Sequence, residues 1–228
     1  MLCKNNDKNF LIGGVDEAGR GSILGPLVVA GMSIKKSKLR TLRQIGVKDS
    51  KLLSPKAREK LFMQVCTLAE SICVCKIDCA VVDDNVFLKK LNKLEADIMA
   101  FIINNIHVDE VYVDSCDINP CRYGQYIMTN LIPTPPKLYC MHHADRLNTA
   151  VAAASIIAKV TRDREINKIR KTYRDIGSGY PCDRHTMRFI KGWVLKYNCA
   201  PEFARRSWSP LRQLLEGLTS VEQSVLIR

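Results

Sequence analysis

The sequence predicts an α/β or α+β protein built on a mixed sheet. Two observations carry that expectation. Short β-branched or aromatic runs, such as "LIGGV" at 11–15 and "EVYVD" at 110–114, come early in the chain and between helices. Longer stretches in between repeat their apolar residues at helical spacing.

The elements follow in order. Residues 11–15 read as a strand and 27–33 as its partner, joined by a glycine-rich turn. Ser54 followed by Pro55 is an N-cap signature, opening a helix to about residue 71. Residues 72–82, "ICVCKIDCAVV", read as a strand with Cys73 and Cys75 on one face. Residues 85–106 read as one long amphipathic helix carrying Phe87, Leu91, Leu94, Ile98, Phe101 and Ile102. "EVYVD" is a strand ending on Asp114. Residues 117–130 read as a loop and a helix, and 138–141 as a short strand. An alanine-rich helix is expected at 149–173, then a glycine and proline loop "DIGSGYPCD", then helices at 186–197 and 210–218. The sequence divides into a main domain over 1–176 and a small C-terminal helical region over 177–228.

The chain of 228 residues is 46% hydrophobic, enough for a sizeable core. Its formal net charge of +12 points to a polyanionic partner. The opening "MLCKNNDKNF" has no apolar core of a signal peptide, and no apolar run is long enough for a bilayer. With ten cysteines and no such signal, a reducing, cytoplasmic setting is expected. No Cys/His spacing reads as a zinc site, so the cysteines are expected to fill core positions.

The carboxylates carry the chemistry. Asp16 and Glu17 follow the first apolar run, and Asp114 ends "VYVD". Acids at strand ends in an α/β sheet are well placed for a ligand. Asp145 sits in "HHADRLNTAVAAAS", just before a helix. Clustered carboxylates repel unless a cation neutralises them, and oxygen donors favour hard ions such as Mg²⁺ or Mn²⁺. Two such ions are the usual device for in-line phosphoryl transfer. Asp163 is about 20 Å along a helix beginning at Thr149, too far to share the ions.

The pieces "VDEAGRG…LGP", "DSKLLSP", "VYVDSCDINP", "ADRLNTAVAAASIIAKVTRDREI", "GSGYPCD" and "RRSW" occur in this order. Together they resemble ribonuclease HII, the type 2 ribonuclease H family, most of all its archaeal form. The resemblance covers nearly the whole chain. It implies a ribonuclease H-like fold: a mixed central sheet flanked by helices. It implies an endonuclease that hydrolyses the RNA strand of RNA/DNA hybrids and cuts 5′ of ribonucleotides in duplex DNA, leaving 3′-hydroxyl and 5′-phosphate ends. It implies Asp16, Glu17, Asp114 and Asp145 as catalytic, metal-binding acids for two Mg²⁺ or Mn²⁺ ions. Gly19, Arg20 and Gly21 match the piece that touches the nucleic acid, and Tyr180 the residue that stacks on the sugar beside the 2′-hydroxyl. Lys51 matches a lysine near the substrate phosphates, with Ser50 a further candidate. Ser22 and Ile23 stand where many members carry proline and a small or branched residue.

Among the basic residues of the long helix, Lys159 and Arg162 lie nearest the acids in sequence and are expected to reach phosphate. Arg184, Arg188, Lys191, Arg205 and Arg206 lie in the expected C-terminal region, which is expected to close on the far strand of a duplex. The tail "EQSVLIR" lacks the aromatic pair of clamp-binding tails, which makes sliding-clamp binding doubtful, and a monomer is expected. Two rivals remain: a binding or scaffold protein that kept the fold and lost the chemistry, and a metal nuclease of related fold such as a junction resolvase.

Overall fold

The computed structural model describes residues 9–47 and 54–226, with the side chains of 218–226 outside the description. Ser50 and Lys51 fall outside the described residues.

The chain begins with β1 (Leu11–Ala18) and β2 (Leu27–Lys35), which pair antiparallel. A short α1 (Leu39–Gln44) leads toward α2 (Pro55–Leu68). Ser54 caps α2 as its sequence signature requires: its Oγ accepts from the Ala57 amide at 3.3 Å, and Pro55 takes the first helical position. Then come β3 (Ser71–Ile77), α3 (Cys79–Phe87), α4 (Leu91–Asn105) and β4 (Glu110–Asp114). α5 (Pro120–Met128) and β5 (Lys137–Met141) are followed by α6 (Ala144–Leu147), α7 (Thr149–Tyr173), α8 (Arg184–Tyr197) and α9 (Ser209–Leu226).

Two expectations are corrected. The strand expected over 72–82 stops at Ile77, and its second half is α3. The helix expected over 85–106 is two helices, broken where Lys89 adopts a left-handed backbone with φ 56°. Helical periodicity survives a short break, so the pattern alone ran the two together. The last helix is also longer than the 210–218 expected.

The sheet is mixed, in the order β3-β2-β1-β4-β5, with β1–β4 and β4–β5 parallel. Tyr112 and Tyr139, directly paired on β4 and β5, stack at 4.8 Å between ring centroids. Packing divides the chain into two units. One comprises the described residues of Met1–Ala18, Val28–Lys76 and Asn92–Thr161. The other comprises the described residues of Gly19–Leu27, Ile77–Leu91 and Arg162–Arg228.

In the first unit, Met32 and Ile34 of β2 pack with Leu61 and Val65 of α2 and with the alanines of α7. Gly14 explains those alanines. A Cβ at Gly14 would overlap the backbone of Ala150, so bare backbone on β1 lets α7 lie directly on the strand. Only small residues fit at so close a crossing. The opposite face of β1 carries Val15, whose side chain lies beside Ile102 of α4 at the Gly31 position. The second unit has its own core of Ile23, Leu24, Ile166, Ile176, Ile190, Val194 and Leu211.

Candidate active site

The parallel ladder between β1 and β4 ends at Val15↔Val113. The next residues on these strands are Asp16 and Asp114. Pairing in register puts their side chains on the same face, on strands about 4.8 Å apart. β1 does not end there: β2 continues to pair with it through Asp16↔Ala30, Glu17↔Val29 and Ala18↔Val28. Asp16 therefore stands inside a strand on one side and beyond a ladder on the other.

Asp16 is buried, at 4% exposure. Burial pushes its carboxyl up to about 6, and the charge of Asp114 adds to that. A hydrogen bond from Ser155, the charge of Lys159 and the Glu17 amide, which donates to Asp16 Oδ1 at 2.7 Å, pull the other way. Ser155 and Lys159 lie one turn apart on α7, with Lys159 Nζ donating to Ser155 Oγ at 2.7 Å. The face of β1 that meets α7 at Gly14 thus meets it again at Asp16.

Strand alternation turns Glu17 to the opposite face. Its charge is felt there by Cys116, whose thiol is raised by burial, by Glu95 and, less, by Glu17. Cys116 Sγ donates to Glu95 Oε2 at 2.8 Å.

Asp145 lies in the short α6, one turn beyond β5 and just before α7, and is buried. It is tied to Asp114 by its neighbour: the Ala144 amide donates to Asp114 Oδ1 at 2.9 Å. That amide is aimed by His143, which takes a left-handed backbone with φ 55°. Among the described residues, no three His, Cys, Asp or Glu side chains are gathered in a grouping ready to hold a metal ion.

The second unit holds the other half of the predicted residues. Gly19 has φ 84°, a conformation open to glycine, and a Cβ there would run into the Arg162 side chain. Ser22 closes the turn: its Oγ donates to the Gly19 carbonyl at 2.7 Å. Where proline would stiffen this turn by its ring, serine does so by a hydrogen bond. The Ile23 and Leu24 amides both donate to the Gly179 carbonyl, at 2.8 and 3.1 Å. The Gly-Arg-Gly loop and Tyr180 are thereby fastened to one another.

Two arginines differ from expectation. Arg162 is 3% exposed and turned inward. Its Nη2 donates to the Leu24 and Ser178 carbonyls at 3.4 and 3.3 Å, and its guanidinium lies over the Tyr180 ring at 4.5 Å. It supports the tyrosine and does not face phosphate. Arg205 is fully buried and does not face a duplex. Asp83 sits inside α3 and accepts from the Arg206 amide at 2.7 Å and the Ser207 amide at 3.0 Å. Nothing in the local pattern of "VVDDN" marks it for that task. Ser155, by contrast, stands four residues before Lys159 in a quoted motif, a spacing that points both to one helix face.

The family model of ribonuclease HII matches residues 13–210. The chain belongs to the ribonuclease HII family. The ribonuclease HII of Cenarchaeum symbiosum is 45% identical over 208 residues, covering 91% of this chain and 100% of that protein. Among solved structures, the ribonuclease H2 of Pyrococcus horikoshii OT3 matches with a TM-score of 0.86 at 38% identity, covering 92% of this chain and 99% of that one. The ribonuclease HII of Archaeoglobus fulgidus, solved in a complex with PCNA, matches with a TM-score of 0.81 at 36% identity, covering 88% and 96%. The fold is the ribonuclease H-like fold expected from the sequence, and the protein is a ribonuclease H, a nuclease acting on RNA paired with DNA. No helix among the described residues is long and apolar enough to cross a membrane.

Proposed function

We propose that this ribonuclease HII is a divalent-metal-dependent endonuclease that cuts 5′ of ribonucleotides in duplex DNA as well as within hybrids, leaving 3′-hydroxyl and 5′-phosphate ends. The observation that carries the reading is that Asp16 and Asp114 directly follow Val15↔Val113, the last pair of the parallel ladder between two neighbouring strands. Two carboxylates at that spacing, one desolvated enough to sit near 6, are costly to ionise together. A cation would remove that cost.

The donor set fits a hard ion. It consists of carboxylate oxygens alone, the chemistry of Mg²⁺ and Mn²⁺ rather than of zinc. Asp16, Asp114 and Asp145 would hold the ions, and Glu17, which starts from the other face of β1, would turn toward them to join. When bound, such ions supply Lewis-acid activation of the scissile phosphodiester and of the attacking water. The chain's own residues do the rest. Lys159 offsets the negative charge at Asp16 and is held in place by Ser155. The Ala144 amide fixes the orientation of Asp114.

In the second unit, Gly19 and Gly21 let backbone approach a sugar and phosphate closely, and Arg20 adds a permanently charged fork for phosphate. Tyr180 presents a ring to the sugar that carries the 2′-hydroxyl, the one group that separates RNA from DNA at a given position. Arg162 holds that ring from behind.

The chemistry of the ends tests the reaction. Products made with Mg²⁺ or Mn²⁺ should be extended by a DNA polymerase at the 3′ end and ligated at the 5′ end without further treatment. EDTA should stop their formation. Products with a cyclic phosphate, or formed equally in EDTA, would replace this mechanism with a metal-independent one that uses the 2′-hydroxyl as nucleophile.

A further inference from the structure

We infer that Arg205 is a positioning residue for ribonucleotide recognition, holding the Gly-Arg-Gly loop by its backbone carbonyls. The inference rests on the proposed role of that loop in reading an embedded ribonucleotide.

Arg205 is a whole guanidinium with 0% exposure. Burial lowers its pKa from the ordinary arginine value, which states the same cost in another form. A buried charge is kept where its hydrogen bonds define a shape. Here Nη1 donates to the Arg20 carbonyl at 2.8 Å and Nη2 to the Gly25 carbonyl at 3.2 Å. Those carbonyls are the middle of the Gly-Arg-Gly triplet and the far end of the same loop. One planar fork therefore sets the distance between them, as a flexible ammonium would not.

The neighbours of Arg205 support the same loop. Its own amide donates to the Ile23 carbonyl at 2.9 Å, and the Gly25 amide donates to the Phe203 carbonyl at 2.8 Å. Its guanidinium lies over the Trp208 ring at 5.0 Å, and Trp208 Nε1 donates to the Gly21 carbonyl at 3.3 Å. Arg205 and Trp208 thus bind the carbonyls of Arg20 and Gly21, the two residues that would face the substrate.

Arg205 itself is sealed from solvent and touches no substrate, so its effect passes through the loop. A single embedded ribonucleotide offers one 2′-hydroxyl to read. A long hybrid offers many, together with its overall helical shape. Loosening the loop should therefore harm the first substrate more than the second.

The experiment compares kcat/KM on a DNA duplex with one ribonucleotide and on a long RNA/DNA hybrid, for wild type, Arg205→Lys and Arg205→Met. The expected result is a loss of about tenfold or more on the embedded ribonucleotide in Arg205→Met, with less than about threefold on the hybrid. Arg205→Lys, with the charge but not the fork, should fall between. If Arg205→Met does not fold, Trp208→Phe keeps an aromatic ring and removes only the donor to Gly21. It should shift the ratio of the two activities in the same direction by about threefold. Equal losses on both substrates, or an unchanged ratio in the folded variants, would reduce Arg205 to a structural residue and overturn the inference. A wild-type protein that cuts hybrids but not the embedded ribonucleotide would instead overturn the proposed function on which it rests.

Discussion

Asp16 and Asp114 stand one residue beyond Val15↔Val113, the last pair of the parallel ladder between β1 and β4. The strands bring two carboxylates to one level of one face, and burial with mutual repulsion sets Asp16 near 6. The arrangement is unfavourable to the fold alone. Asp114→Asn should therefore stabilise the metal-free protein, by about 1 kcal/mol, while cleavage falls at least about a hundredfold. Thermal unfolding without metal and single-turnover cleavage with it check both halves. A variant that cleaves near the wild-type rate removes Asp114 from the mechanism.

Gly14 is the point where α7 touches β1 backbone to backbone. A methyl group has no room there, and neither a helix nor a strand can yield cheaply. Gly14→Ala should lower stability by about 3 kcal/mol, read as a clear fall in Tm. A Tm within a degree of wild type would show that α7 can move off the strand.

Tyr180 is held by the Arg162 guanidinium at 4.5 Å from its ring. The ring, rather than the hydroxyl, makes this contact. Tyr180→Phe should keep fold stability within about 0.5 kcal/mol of wild type. Tyr180→Ala should lose about tenfold to a hundredfold in kcat/KM on an embedded ribonucleotide, the worth of one stacked ring. Equal activity of the alanine variant and wild type would remove stacking from substrate recognition.

The loop that carries Tyr180 depends on Asp183. Its carboxyl is held down to about 2, first by the Ser178 amide, which donates to Oδ2 at 2.6 Å, with the His185 amide also contributing. The folded value lies below the ordinary 3.8. The ionised form therefore stabilises the fold above about pH 4, and that contribution is lost as the pH falls toward about 2. Asp183→Asn gives up an acceptor and the charge. Its Tm should lie below wild type at pH 6, and the two should converge as the pH approaches 2. A gap that stays constant over that range would mean that the carboxylate charge does not hold the loop.

Much of this was legible in the sequence because the signals were local. Ser54-Pro55 announced a helix start, and the alternation in "EVYVD" announced a strand ending on an acid. The quoted motifs led to the family. What escaped were relations set by the third dimension. The break at Lys89 lies inside an uninterrupted apolar pattern, so periodicity passed over it. Arg162 read as a phosphate ligand, and Arg205 as part of a lobe facing a duplex, because arginine is usually exposed. Only the packed loops show that their partners are the carbonyls of Leu24, Ser178, Arg20 and Gly25. Asp83 was not singled out because its partners, the Arg206 and Ser207 amides, lie more than a hundred residues away. Ser50 and Lys51 lie outside the described residues, and their part stays a sequence expectation.

The central claim is that this ribonuclease HII reads a ribonucleotide set in DNA. It is tested most directly with a 5′-labelled DNA duplex carrying one ribonucleotide, beside an all-DNA duplex of the same sequence, in Mg²⁺ or Mn²⁺. The account predicts a single cut immediately 5′ of the ribonucleotide, none in the all-DNA duplex, and none with EDTA or in Asp16→Asn. Tight binding of the duplex without any cut under either ion, while a long hybrid is cleaved, would contradict it.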